Sequence, residues 1–312
     1  MEKREFLKRL GLLTAGGVVA GSVNPVAASS MVDGFAKKKE IGLQIYSLGR
    51  ELVADVPNGL KKIKDIGYSA IELAGYGNRK MGEYSVEEYR KLADDAGLKI
   101  TSSHVNPPTR EITKDKLGEI ADFWKQTVED HVKFGVKTLV QPMMPSVKTH
   151  DDVAVVCESF NQAGEIAKSA GIKFGYHNHH MEFERIVTEE DKKKQTNPWM
   201  PVGDVIYDLF LNGTDPGLVF FEMDVYWTVM GSNDPLEYFE KYAGRFPVLH
   251  IKDRSVLGQS GMMNFQNIFT KAYENGLNEF YVELEGIRKG DKTQFEGVAE
   301  CYDYLAKAPF VK

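Results

Sequence analysis

Cysteine is scarce in this chain. Two among 312 residues, Cys157 and Cys301, cannot build a disulfide framework, and they form no CxxC pair for metal or redox work. Both fall on predicted helices far apart in the element order, so they read as buried free thiols. Proline and glycine are modest at 12 and 29, which excludes a collagen-like or wholly disordered chain. Positive charge is short as well: 39 Lys and Arg against 45 Asp and Glu give a net charge of −6, without the basic footprint of a nucleic-acid binder. The apolar run Leu10 to Val23 is too short and too glycine-rich for a membrane span. What is present, 42% hydrophobic and 27% charged residues, is the composition of a soluble globular protein, with length for one large domain or two small ones.

The first thirty residues differ from the rest. Lys3-Arg4-Glu5-Phe6-Leu7-Lys8-Arg9 is a basic start, Leu10 to Val23 is apolar and small, and Asn24-Pro25-Val26-Ala27-Ala28 ends as a small-residue cleavage site. That order of segments reads as an export signal. It resembles a twin-arginine signal, with Lys3 where the first arginine would stand. No cysteine follows the apolar run, which excludes a lipoprotein anchor. The expectation is an export signal over residues 1–30, a domain over 31–312, and a periplasmic location.

From Glu40 onward, short apolar or β-branched runs alternate with amphipathic stretches. Strands are predicted at Ile41–Leu48, Ala70–Tyr76, Lys99–Val105, Thr138–Met143, Lys173–His179, Val219–Trp227, Pro247–Asp253 and Phe280–Gly286. Helices are predicted at 57–66, 85–96, 113–134, 150–170, 199–212, 234–244, 264–275 and 294–307. Ser85 with Glu88 makes a capping box, and Gly67, Gly97, Gly135, Gly171 and Gly276 close helices. Strands alternating with helices imply a parallel sheet, and eight such units imply an α/β (β/α)8 TIM barrel. A doubly wound open sheet would want a glycine-rich turn after its first strand, and Tyr46-Ser47-Leu48-Gly49-Arg50 is not one. The charged stretch Glu184–Asn197 is expected as a solvated loop over the barrel mouth.

A buried parallel strand should be almost wholly apolar, so polar residues inside one require a reason. Strand two carries Glu72 and strand three runs into His104. Strand five reads Tyr176-His177-Asn178-His179, followed by His180, Met181 and Glu182. Strand six contains Glu222 and Asp224, strand seven His250 and Lys252, and strand eight Glu283 and Glu285. Period-two alternation puts the two members of each of these pairs, and His177 with His179, on one face. In this fold that face and end of the barrel is where catalysis occurs. Burying such charges unpaired would be prohibitive, and a divalent cation held by imidazole and carboxylate offsets that cost.

With these segments in order, the sequence resembles the xylose isomerase-like TIM barrels, described broadly as sugar-phosphate isomerases and epimerases. The resemblance covers about residues 40–310 and is carried by Tyr176-His177-Asn178-His179 with Glu182-Phe183, Met223-Asp224-Val225-Tyr226-Trp227, His250-Ile251-Lys252-Asp253 and Val282-Glu283-Leu284-Glu285. It implies one divalent metal, Mn²⁺ foremost with Mg²⁺, Co²⁺ or Zn²⁺ as alternatives, held by Asp224, His250 and Glu283. Strand five departs from the family's carboxylate there. His177 is the preferred ligand, with His179 and Glu182 as contenders.

The implied chemistry is proton abstraction next to a sugar carbonyl through a metal-stabilised enediolate. Glu283 or Glu285 would be the base, with Lys252 or a histidine such as His179 moving a proton at oxygen. Glu72, His104, Trp227 and Tyr46 are candidate substrate contacts, and Tyr76 is a further stacking surface. The same enolate also allows β-elimination from a 3-keto-glycoside, and the same cup would serve a non-catalytic carbohydrate-binding barrel. Gly258-Gln259-Ser260-Gly261 and Arg288-Lys289 make only a weak phosphate cradle, so a free sugar, oxidised glycoside or cyclitol is the expected partner. Nucleic acid is not expected, given the acidic balance.

Overall fold

The computed structural model describes residues 39–287 and 292–312. The expected export signal lies outside the described residues, as do Arg288 and Lys289. Eight parallel strands close into a barrel: β1 (Gly42–Gln44), β2 (Ala70–Leu73), β3 (Lys99–His104), β4 (Thr138–Gln141), β5 (Lys173–His177), β6 (Val219–Asp224), β7 (Val248–Ile251) and β8 (Glu279–Val282). Each strand pairs with its neighbours in sequence, and β1 pairs with β8 to complete the ring. Around it run α1 (Val56–Ile66), α2 (Val86–Asp95), α3 (Leu117–Phe134), α4 (His150–Ser169), α5 (Ile206–Gly213), α6 (Pro235–Lys241), α7 (Phe265–Glu274) and α8 (Gln294–Lys307). The single (β/α)8 barrel is the fold expected from the sequence. Among the described residues, no helix is long and apolar enough to cross a membrane.

The helices form where local chemistry favours them. Ser85 accepts from the Glu88 amide while the Glu88 side chain accepts from the Ser85 amide, which starts α2 with two donors satisfied. Thr149 with Asp152 and Thr293 with Glu296 do the same for α4 and α8. Gly135 ends α3 in the left-handed conformation at φ +77°. Outward-facing strand residues such as Leu43, Ile71, Phe174, Phe221 and Val282 bury against the helices in one continuous core. Cys157 and Cys301 are buried within it as free thiols.

The strand ends differ systematically from expectation. The predicted strands over-run the barrel at its carboxyl edge, because the polar-apolar alternation continues after the hydrogen-bonded ladder stops. Residues Ile45–Leu48 form a 3-10 turn, not the end of β1. Val225–Met230 form a short helix, not the end of β6, because the Asp224 carboxylate caps the Trp227 amide at 2.9 Å. Helix 199–212 begins only at Ile206. Pro201 disfavours helix before it, and Gly203 at φ +84° stands where a Cβ would lie 2.3 Å from the Ile186 carbonyl oxygen. Asp204–Val205 instead pairs with Arg185–Ile186, and the charged stretch after β5 contains an exposed helix at Glu189–Lys194.

A three-stranded antiparallel sheet after β2, built from Tyr76–Gly77, Lys80–Met81 and Tyr84–Ser85, was not expected. Asn78 and Arg79 take φ of 49° and 62°, the paired left-handed geometry of a two-residue hairpin turn. This sheet leans over the mouth of the barrel, where Met81 and Tyr84 reach its cavity.

Candidate active site

The interior of the barrel is filled in layers, as the two-residue period of the strands requires. At the base, Val140, Phe220, Val248 and Tyr281 form a separate buried group. The Tyr281 ring occupies the space a Cβ on Gly42 would need, and the Phe220 ring does the same over Gly175. Two residues further along most strands the inward positions become polar, β4 with Pro142 being an exception. On β6 they are Glu222 and then Asp224, on β7 His250 and then Lys252, on β5 His177 and then His179 past the strand end, and on β8 Glu283 beyond Tyr281.

The layer above the plug is a network of carboxylates and imidazoles. A register shift between Ile71 and Glu72 sets Glu72 opposite Ser102. The Glu72 carboxylate accepts from the Ser102 hydroxyl at 2.6 Å, the Gln44 amide at 2.8 Å and His250 Nε2 at 2.6 Å. Glu222 lies 2.6 Å from His104 Nε2, 3.2 Å from His177 Nδ1 and 3.3 Å from His250 Nε2. Burial alone would raise the Glu72 pKa, but the His104 and His250 charges and the hydrogen bonds from His250 and Ser102 hold it at about 2. The same carboxylates lift His250 well above the ordinary imidazole range despite its burial. Glu222 goes the other way, up to about 7, through burial and the neighbouring Glu72 charge.

Above this lies a second group. His177, Asp224, His250 and Glu283 each offer one atom within 4.8 Å of the others, and all four are buried. A deeper group, His104, His177, Glu222 and His250, meets the same condition and shares two of its imidazoles. Asn178 fixes Asp224 by accepting from its backbone amide at 3.2 Å. One Asp224 oxygen caps the following helix, while its Oδ2 is buried without a partner, as are His177 Nδ1 and Glu222 Oε1. Burial lifts the Asp224 pKa to about 7. Unpaired buried imidazole and carboxylate atoms facing one another are the donor set a divalent cation takes. The cluster therefore fits a metal ion.

A cavity of about 970 Å³ opens over the group, lined at its polar end by His104, His177, His179, Glu283 and Glu285. Lys252 is buried beneath Trp227 and pairs with Glu283 at 3.0 Å and Glu285 at 2.6 Å. Burial disfavours its charge, but Glu283, Asp224 and Glu285 raise its pKa above the ordinary lysine range. Burial lowers His179 to about 4, so its imidazole is neutral near pH 7. Tyr46 lines the cavity and is 62% exposed.

Of the residues singled out from the sequence, His177, Asp224, His250 and Glu283 come together, with Lys252, His179, Glu285, His104 and Glu72 around them. Glu182 stands apart: its carboxylate accepts from the Tyr176 hydroxyl at 2.6 Å and the His179 amide at 2.9 Å, and it joins neither group. Trp227 covers Lys252 and stands off the cavity wall, because its position is helical and not strand. Tyr76 turns away from the mouth, donating to Asp130 at 2.7 Å. Glu222, noted on the Asp224 face but assigned no role, is central to the inner layer. Its two-residue spacing from Asp224 was the available signal.

The model of the xylose isomerase-like TIM barrel family matches residues 60–307. A solved sugar phosphate isomerase/epimerase from Parabacteroides distasonis ATCC 8503 is 54% identical, with 88% of this chain and 100% of that one covered and a TM-score of 0.83. A second from the same organism is 49% identical, covering 90% and 100%, with a TM-score of 0.85. The inosose dehydratase of Clostridium perfringens (strain 13 / Type A) is 28% identical over 144 residues, which are 46% of this chain and 38% of that relative, well under half its length. The chain belongs to the xylose isomerase-like TIM barrel family.

Proposed function

We propose that this protein is a divalent-metal-dependent sugar isomerase or epimerase that removes a proton from the carbon next to a sugar carbonyl. The observation that carries the reading is the buried meeting of His177, Asp224, His250 and Glu283 under a cavity walled by Glu285 and His179. Relatives described as sugar phosphate isomerase/epimerases, alike over nearly the whole described domain, support it. Those four residues would hold the ion, Mn²⁺ foremost, which when bound supplies Lewis-acid polarisation of the sugar's carbonyl and hydroxyl oxygens.

Glu285, outside the ligand set and on the cavity wall, is the base that takes the proton at its carboxylate. Lys252, a cation 2.6 Å from Glu285 and 3.0 Å from Glu283, holds both carboxylates in place. His179, neutral near pH 7, accepts or returns a proton at a substrate hydroxyl. Return of the carbon-derived proton by Glu285 to the neighbouring carbon isomerises the sugar, whereas epimerisation takes a proton from a second acid on the opposite face. The basic, apolar and small segments of residues 1–30 support an exported, periplasmic setting for this chemistry.

The test is to incubate free keto-sugars with the protein and Mn²⁺ in D₂O. Deuterium is expected at the carbon next to the carbonyl, with about one ion bound per chain. No incorporation, no turnover and no bound metal would overturn the proposal.

A further inference from the structure

Glu182 is a fully buried carboxyl group beyond the end of β5 that belongs to neither metal-holding group and does not line the cavity. No cationic side chain pairs with it among the described residues; its Oε1 accepts from the Tyr176 hydroxyl at 2.6 Å and its Oε2 from the His179 amide at 2.9 Å. Burying a carboxyl group without a cation is costly, so its place there calls for a reason. The two donors lie on either side of the strand end. Tyr176 is the penultimate residue of β5, buried on its outward face with its ring 5.1 Å from Phe160 and 5.5 Å from Phe210. His179 stands two residues past the last residue of β5, where the sheet ladder no longer holds the backbone. The chain then turns through Met181–Phe183, and Glu182 reaches back from that turn to join His179 to Tyr176.

His179 needs such an anchor. Its imidazole lines the cavity, 5.0 Å from the His177 ring and 5.9 Å from the Trp227 ring, and neither ring nitrogen has a hydrogen-bond partner among the described residues. Free ring nitrogens suit a group that meets a substrate, but they leave the placement of the ring to its backbone. That backbone is held at two points, by the Glu182 carboxyl at the amide and by the Asn178 side chain, which donates to the carbonyl at 3.3 Å. The Glu182 contact is the shorter, and through Tyr176 it leads into the packed core. Beyond it, Phe183 fixes the far end of the turn against Tyr207 at 5.1 Å and Tyr238 at 5.6 Å.

We propose that Glu182 is the positioning residue for His179: by clamping the His179 amide to Tyr176 it sets the imidazole where it exchanges a proton with a substrate hydroxyl. The chemistry of His179 rests on the function proposed above; the clamp does not.

The experiment uses the full chain loaded with Mn²⁺ and follows deuterium exchange into a keto-sugar. The releasing variant is Tyr176→Phe/Glu182→Met, which replaces both buried polar partners by apolar groups of similar shape and so spares the fold, as a urea midpoint checks. It should lower kcat by about 10- to 100-fold, the effect of misplacing a reacting group by about 1 Å, with KM and Mn²⁺ affinity within about threefold of wild type. Glu182→Gln can keep both contacts, its amide oxygen accepting from His179 and its amide nitrogen donating to the Tyr176 hydroxyl, and should hold kcat within about threefold. In a His179→Ala background, slower by about 100-fold or more, the releasing pair should have no further effect, because the residue it acts through is gone. If the pair fails to fold, Tyr176→Phe alone releases the clamp on its core side and is read the same way. An unchanged kcat, an equal loss with and without His179, a Glu182→Gln protein as slow as the releasing pair, or a loss confined to KM or to Mn²⁺ affinity overturns the proposal. A crystal structure of the releasing variant should show the His179 ring displaced by about 1 Å or more; a ring in its original place overturns the clamp. A wild-type protein that exchanges no keto-sugar would remove the function proposed above, and the position of His179 in the variant would still decide the clamp.

Discussion

Glu72→Gln isolates the contribution of charge to holding His250. The Glu72 carboxylate accepts from Gln44, Ser102 and His250, and its Oε2 lies 3.3 Å from His104 Nε2. A glutamine of the same shape can place its amide oxygen where Oε2 now meets Gln44 and His250. Its amide nitrogen can then donate to the Ser102 hydroxyl, which accepts as readily as it donates. The Gln44 and His250 donors keep their acceptor, the Ser102 hydroxyl changes from donating to accepting, and the negative charge is removed. That charge is present at all working pH values, since the carboxyl is held at about 2.

A hydrogen bond to a charged group contributes about 1.5–3 kcal/mol against about 0.5–1.5 for a neutral one, so the loss at His250 is roughly 1–2 kcal/mol. The partner that orients a metal-binding imidazole typically accounts for about 10- to 100-fold in metal affinity. The Kd for Mn²⁺ in Glu72→Gln is therefore expected to rise about 10- to 100-fold in titration calorimetry, with metal-free stability to urea little changed. Glu72→Ala should also lower metal-free stability by about 2–6 kcal/mol, because it strands the buried Gln44 and Ser102 donors at about 1–3 kcal/mol each. A Glu72→Gln protein that binds Mn²⁺ within twofold of wild type would refute the idea that Glu72 orients His250 for the ion.

Three further outcomes follow from particular contacts. If the outer group holds the ion, Asp224→Asn should abolish stoichiometric Mn²⁺ binding and Glu222→Gln should only weaken it; the reverse order would move the ion to the deeper group. His131 is buried with Nδ1 donating to the Thr127 carbonyl and Nε2 accepting from Ser103, and burial lowers its pKa from 6.5 to about 4. Below pH 6.5 the unfolded chain takes up a proton that the folded one refuses, so about 3 kcal/mol of stability is lost as pH falls from 6.5 to 4. Urea unfolding should show that loss reduced by about this amount in His131→Gln, and equal slopes would contradict it. Alanine normally improves on glycine in a helix by about 1 kcal/mol. A Cβ at Gly164, however, would lie 2.6 Å from the Leu218 carbonyl oxygen, so Gly164→Ala should lower the urea midpoint. A raised midpoint would show that the contact relaxes freely.

The barrel was legible because each strand announces itself by an apolar or β-branched run, and α2 by its capping box at Ser85. The ends of the strands were not, since Asp224-Val225-Tyr226-Trp227 keeps a strand-like alternation while the Asp224 side chain turns the chain into a helix. His177, Asp224, His250 and Glu283 could be read as neighbours because closing a parallel barrel brings consecutive strand ends together. Pairings across the barrel could not. His104 meets Glu222 across 118 residues of sequence and His250 meets Glu72 across 178, and no local spacing encodes either contact. The apolar lining of the cavity was hidden for a related reason: its methionines sit in separate segments after β2, β4 and β5 without a shared period, and the Asn78–Arg79 turn carries left-handed residues other than glycine.

Charge balance connects the inner layer to the ion. Five carboxyl groups, Glu72, Glu222, Asp224, Glu283 and Glu285, gather around three groups whose pKa is raised toward the cationic form, His104, His250 and Lys252. Glu72 and Glu283 sit against those cations and are held low despite their burial. The shortfall falls on Glu222 and Asp224, which burial pushes up to about 7 and which each keep an oxygen without a partner. A ligating His250 must give up a proton, which leaves the carboxylates further in excess, and a divalent ion offsets that negative charge. A hydrophobic replacement of the layer would fold at least as well, since buried ion pairs contribute little net stability. What the charged layer provides instead is a cluster with carboxylates in excess beneath an open cavity, which favours binding a cation where a sugar can reach it.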